Sequence, residues 1–212
     1  MTEPYSVWRW PQLLLANLAI VAVYLAEHVL SDALALPPGY ATPLFPPAGV
    51  GFALAVVAGW RVLPGVALGA LLLHLPGVWL GPQVPPHTAV LATGAVTAGS
   101  VLQAWLGARL FRSLVKPALA SPRDVLRFLL LVPAMCLVSA TITVPTMYRL
   151  GLIPEADRVG SWVSWWAGDA VGVLLAAPLC WIVCGQPRRL WRPPPPWSRP
   201  TSRRWTGKPT ST

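Results

Sequence analysis

Charge is scarce in this chain, and acidic charge scarcest. Only 11% of the 212 residues are charged, and only 7 are Asp or Glu. Soluble domains carry roughly 25% charged residues, so a protein bathed in water on most sides is excluded. Cysteine is also sparse, and the 3 present, Cys136, Cys180 and Cys184, all fall in apolar stretches. They build no disulfide framework. With no third or fourth ligand near them in sequence, they read as small apolar residues and not as a metal site. The signatures of intramembrane catalysis are missing as well. There is no His-Glu-x-x-His, no paired aspartate motif, no activated Ser or Cys and no phosphate-cradling glycine loop. The chain reads as a non-enzyme, with no catalytic residue, metal or cofactor assigned.

What is abundant is apolar sequence. Hydrophobic residues make up 55% of the chain, and the mean hydropathy is +0.57. Apolar runs of about twenty residues predict an all-α, polytopic transmembrane bundle. About six crossings are expected, at 12–34, 44–60, 63–80, 88–110, 124–147 and 161–184. The first run is too long for the apolar region of a secretory signal, and no small-residue cleavage site follows it. It reads as a retained helix. A membrane domain is therefore assigned to 1–185. The stretch 186–212, rich in Pro, Arg and Trp, cannot bury a core and reads as an extended, disordered cytoplasmic tail.

Basic residues orient the bundle. Arg9, Arg61, five in 109–127 and seven in the tail fall on one side of the predicted topology, leaving Arg149 and Arg158 on the other. By the positive-inside rule both termini are cytoplasmic. The net charge of +9 is thus a topology signal and not a mark of nucleic-acid binding. Tryptophans near helix ends, Trp8, Trp10, Trp60, Trp79, Trp162 and Trp181, fit the membrane interfaces. Small residues four apart, Gly65 with Gly69 and Gly168 with Gly172, let helices approach closely.

Ionisable residues inside a bilayer are costly, so each is a functional candidate. Glu27 and His28 lie in the outer part of the first helix, His74 in the third and Asp169 in the sixth. The fifth adds Thr143 and Thr146. All fall at a similar depth on the non-cytoplasmic side. Trp162, Trp165, Asp169 and Gly172 share one helix face, and Trp166 adjoins it. This is an aromatic wall above a carboxylate that suits a small ligand or a proton. The alternative is that Asp169 braces the bundle by pairing with His28, His74 or the backbone.

"LFPPAGVGFALAVVAGWRVLPG", residues 44–65, carries a second signal. A helix opening on Pro46-Pro47 and ending near Trp60 is about 21 Å long, short of the ~30 Å hydrocarbon core. Proline suits a first helical turn. The preceding chain would then enter as non-helical backbone, delivering a helix N-terminus with free N–H groups into the polar region.

These residues resemble a known family. "LFPPAGVGFALAVVAGWRVLPGVALGALLLHL" and "WVSWWAGDAVGVLLAAPL" resemble the two signatures of the type-1 membrane-associated sensor (MASE) domain, and the resemblance spans about residues 10–185. It implies a bacterial inner-membrane sensory module, working with a histidine kinase, a diguanylate cyclase or a membrane partner such as a permease. The family commonly has about eight crossings and an output domain. Here six and a basic tail are expected, and His74 stands where the family often has Asn. A shortened domain of this kind works through a separate partner or is a remnant.

The resulting expectation is a sensor embedded in the lipid bilayer. Asp169, Glu27, His28, His74, Thr143 and Thr146 contact the signal, and Trp162, Trp165 and Trp166 shape the wall. The alternative is a substrate-capture subunit of a membrane transporter. An outward-open pocket requires that a cysteine placed at Gly49 or Ala53 be reachable by a thiol reagent.

Overall fold

The computed structural model describes residues 8–34 (side chains as far as Glu27), 44–74, 84–115, 119 and 121–184. Six α-helices occupy the six predicted stretches: α1 (Trp10–Leu34), α2 (Pro46–Ala58), α3 (Leu63–Leu73), α4 (Pro86–Leu114), α5 (Pro122–Arg149) and α6 (Arg158–Val183). No strand occurs among the described residues. Among the described residues five helical stretches are long and apolar enough to cross a membrane, with Pro46–Leu73, taken end to end, counted as one of them. The predicted tail and the side chain of His28 lie outside the described residues.

Proline starts most of these helices. It stands at the first or second position of α2, α3, α4 and α5, where its missing N–H is no loss. At α5 the Ser121 hydroxyl also caps: it accepts from the Asp124 N–H at 3.2 Å and donates to the Asp124 carboxylate at 2.6 Å. Along α1 the buried positions Leu13, Ala16, Ile20, Tyr24 and Glu27 recur at helical spacing, while Leu14, Leu15, Leu18 and Leu25 face outward.

The stretch Pro46–Leu73 folds back on itself through a short 3₁₀ turn, Gly59–Val62. Along α4, the N-terminal half of α2 lies near Ser100 to Ala104, and its C-terminus lies at Arg112. By contrast α3 runs from Val66, on that same middle level, to His74 beside Thr93. The two short helices therefore run in opposite directions. At ~1.5 Å per residue they are about 20 Å and 17 Å long, so neither spans the hydrocarbon core alone.

Neighbouring helices clasp this reversal. Gly59 takes φ +75°, a conformation suited to glycine. The Arg112 guanidinium donates to the carbonyls of Val56 and Ala55, both at 2.9 Å, satisfying the end of α2. From α1, the Asn17 side chain accepts at Oδ1 from the Gly65 N–H at 2.6 Å and donates from Nδ2 to the Arg61 carbonyl at 3.2 Å. Arg9, Arg61, Arg109, Arg112, Arg123 and Arg127 gather at this end, the arginine end. Arg149 and Arg158 lie at the other.

Glycines set the close approaches, as their spacing predicts. A Cβ on Gly65 would meet Asn17 of α1 at 2.7 Å, and one on Gly69 would strike the Tyr24 ring. A Cβ on Gly172 would coincide with the Phe45 carbonyl, just before α2. The Phe45 N–H donates to the Gly168 carbonyl at 3.0 Å. The start of α2 is thus seated in a glycine notch on α6, its main packing partner.

Two expectations change. Trp181 is not an interfacial anchor: it is 8% exposed, packs with Phe52, Phe111 and Phe128, and donates to the Ala53 carbonyl at 3.1 Å. Trp10, Trp60 and, beneath the Arg109 guanidinium, Trp105 are exposed indoles towards the arginine end. Of the cysteines, Cys136 is a buried apolar residue as expected, whereas Cys180 and Cys184 are only partly buried.

Overpacking such a notch costs about 1–3 kcal/mol, because backbone cannot rotate away as a side chain does. Gly172→Ala should lower unfolding stability in detergent by at least that much. Gly94→Ala, where an added Cβ meets nothing within 4 Å, should be neutral or slightly stabilising.

Candidate functional site

Asp169 projects from α6 into the centre of the bundle and is 3% exposed. A carboxylate at that depth needs partners supplied by protein. Gln103 of α4 donates from Nε2 to the Asp169 carboxylate at 3.0 Å. The Ser139 hydroxyl of α5 is its second hydrogen-bond partner. Ser139 in turn accepts from Trp165 Nε1 at 3.1 Å, and its N–H points to the Gln103 Oε1 at 3.4 Å. Three helices are thereby tied at one carboxylate.

Beside it is a small cavity lined by Tyr24, Phe45, Pro47, Ala48, Ser100, Gln103 and Asp169, among others. The space open to the centre of a water molecule is about 10 Å³. That is room for about one water. Tyr24 is bonded to Ser100 across the same space. The N-terminus of α2 faces this cavity, as its prolines predict, and its partial positive charge complements the carboxylate.

The expected floor of free N–H groups is not there. Pro46 and Pro47 have none, the Phe45 N–H is held by Gly168, and the Ala48 N–H donates to the Phe45 carbonyl at 3.2 Å. Nor does the cavity reach the predicted depth. Ala53 is fully buried, and a Cβ on Gly49 would overlap the Gly172 carbonyl. Both positions are closed to a reagent, which counts against the outward-open pocket expected from the sequence.

The remaining sequence candidates divide. His74 is 7% exposed, its Nδ1 lies 2.9 Å from the Ala70 carbonyl, and its ring stacks on Trp165 with centroids 6.3 Å apart. Thr93 donates to the His74 carbonyl at 2.6 Å. His74 and Trp165 form a layer about one turn beyond Asp169, and Ser139 bridges the two. Glu27 is buried one turn past Tyr24 on α1. Trp162 and Trp166 stack on each other at 6.3 Å and turn towards α5: Trp162 donates to Thr141 at 3.4 Å and Trp166 to the Pro133 carbonyl at 2.8 Å. They join helices and do not line the cavity. Thr146 donates to Ile142 of its own helix at 2.7 Å. Thr143 is fully buried against Gly99, away from the cavity, with no partner for its hydroxyl among the described residues. Gln103, Ser100 and Tyr24 join Asp169 in the polar lining in place of the threonines, with Ser139 behind the carboxylate. The signal for Gln103 was present in sequence as the lone amide in the middle of α4.

Removing one partner of a buried hydrogen bond leaves the other unsatisfied, at about 1–3 kcal/mol, whereas removing both is nearly neutral. Gln103→Leu should therefore destabilise the detergent-solubilised protein by about that amount. The same change on an Asp169→Leu background should cost markedly less, read as a positive coupling in a double-mutant unfolding cycle.

Comparison with known proteins adds identity to this geometry. The MASE1 family model matches residues 14–207, which takes in the described helices from the second turn of α1 onward and most of the tail. No curated protein and no solved structure matches the chain. The notch residues Gly168 and Gly172, the carboxylate between them and the Pro46-led helix seated there all lie within the matched span, and the chain belongs to the MASE1 family of membrane-associated sensory domains.

Proposed function

We propose that this multi-pass membrane protein senses its signal at the Asp169 cavity and conveys it along α2 to the arginine end. The observation that carries this reading is the position of α2. Its N-terminus lines the cavity beside Asp169, and its C-terminus is held by Arg112 about 20 Å away. A change in the charge or hydration of Asp169 acts on the positive end of this helix dipole, and so on how firmly Phe45 sits in its notch. Because α2 is short and clasped at both ends, a shift at one end is transmitted to the other as a rigid body. His74 and Trp165, stacked on each other about one turn beyond Asp169, lie between the site and the outer side.

The cavity size bears on the kind of signal. Pockets for small organic ligands enclose about 300–1,000 Å³. A space of about 10 Å³ suits a water or a proton. This cavity is too small for an organic solute, which favours the sensing reading over the transport-subunit one. The excess of basic residues at the arginine end and in the tail supports a reading in which both termini face the cytoplasm, as they would in a bacterial inner membrane. There a separate histidine kinase, diguanylate cyclase or permease would receive the signal.

The test is a fusion of a diguanylate cyclase to the C-terminus of the whole chain, with cyclic-dinucleotide output measured in cells across external pH and solutes. A coupling of typical size gives a response of about fivefold or more. Asp169→Asn should fix the output at one level. Arg112→Gln should flatten the response while membrane insertion persists. An output that moves equally in wild type and both variants would overturn the proposal.

A further inference from the structure

Cys180 and Cys184 stand on successive turns at the end of α6, remote from the Asp169 cavity. Their spacing of four residues puts them on one face, and the two sulfurs are 4.0 Å apart. Both are free thiols and both are partly exposed, unlike Cys136, which is fully buried. Cys184 is the residue that ends α6, so the pair sits at the arginine end of the bundle, where the helix leaves the apolar layer. Trp181 between them is anchored in the aromatic core, which fixes the rotation of this last turn.

The two sulfurs are in contact, close enough to close on one metal ion by side-chain rotation. At a metal–sulfur distance of about 2.3 Å, two thiolates lie roughly 3.8 Å apart at a tetrahedral angle and roughly 4.6 Å apart when collinear. The observed 4.0 Å falls between these values, so an ion can enter with only side-chain adjustment. Among the described residues no group of three His, Cys, Asp or Glu side chains is placed to hold a metal. A site of two sulfurs alone disfavours the four-ligand ions and favours a soft ion content with two thiolates, for which Cu(I) is the physiological case.

We propose that Cys180 and Cys184 form a two-thiolate site for Cu(I) at the arginine end of α6. Binding exchanges two S–H bonds for two Cu–S bonds: Cu⁺ enters, two protons leave to solvent, and the bound unit carries one negative charge. No electron is transferred. Arg188 and Arg189 follow within five residues of Cys184 in the sequence, supplying positive charge to the same end of the chain. The site is an input separate from Asp169, acting on the helix that carries the α2 notch.

The experiment uses the full chain, reduced and held without oxygen in detergent, titrated with Cu(I) buffered by a coloured chelator. The wild type should withdraw one equivalent, with ultraviolet thiolate-to-copper absorption. Cys180→Ser and Cys184→Ser should each weaken binding about a hundredfold or more, since each leaves a single thiolate without its chelating partner. Cys136→Ser should bind as the wild type does. Blocking the exposed thiols of wild-type protein with iodoacetamide should abolish uptake without relying on a variant that folds. Failure of the wild type to compete for copper, or uptake of one equivalent by the Cys180→Ser, Cys184→Ser double variant, would overturn the assignment.

Discussion

A polypeptide inside a bilayer has no water to satisfy its backbone, and the beginning of α2 is where that constraint is most severe in this protein. The chain enters at the level of Gly168, well inside the bundle, in non-helical conformation. Such backbone persists at depth only when protein encloses it. Two prolines remove two donors, Gly168 accepts from the Phe45 N–H, and the missing side chain of Gly172 makes room for the Phe45 carbonyl. The position of α2 follows from this seat, and with it the placing of a positive helix end beside Asp169.

The same constraint recurs where the chain reverses at Gly59–Val62. There the end of α2 and the start of α3 each expose backbone groups. They are met from outside the hairpin, by Arg112 of α4 and Asn17 of α1. The hairpin is therefore held at its tip by two helices and at its α2 end by a third. A short element clasped in this way moves as one piece, which is the physical basis for joining the cavity to the arginine end. Its surroundings are asymmetric: a water-sized polar space at one end, and a dry cluster of Phe52, Phe111, Phe128 and Trp181 along the other half.

Much of this was legible in the chain alone. Apolar run length and charge scarcity located the six described helices, because in lipid a helix must satisfy its own backbone and its length is set by the bilayer. The glycine pairs 65/69 and 168/172 marked contacts that the structure contains. Asp169 stood out because a carboxylate at that depth demands partners. The family signatures were readable for the same reason: they are the prolines, glycines and carboxylate that this packing needs.

What remained hidden was which side chains meet. Periodicity places Trp162, Trp165 and Asp169 on one face, but only the packing of α5 and α3 sends Trp165 to Ser139 and His74 while turning Trp162 and Trp166 towards α5. Partners for Asp169 come from Gln103 and Ser139, 66 and 30 positions away in sequence, and no local pattern couples residues at such separations. Cavity size was equally out of reach, since it is the small difference between large volumes packed from five helices. Helix length, depth and close approach are local properties of the sequence. Pairing and free volume are properties of the assembled bundle, and these only the tertiary structure decided.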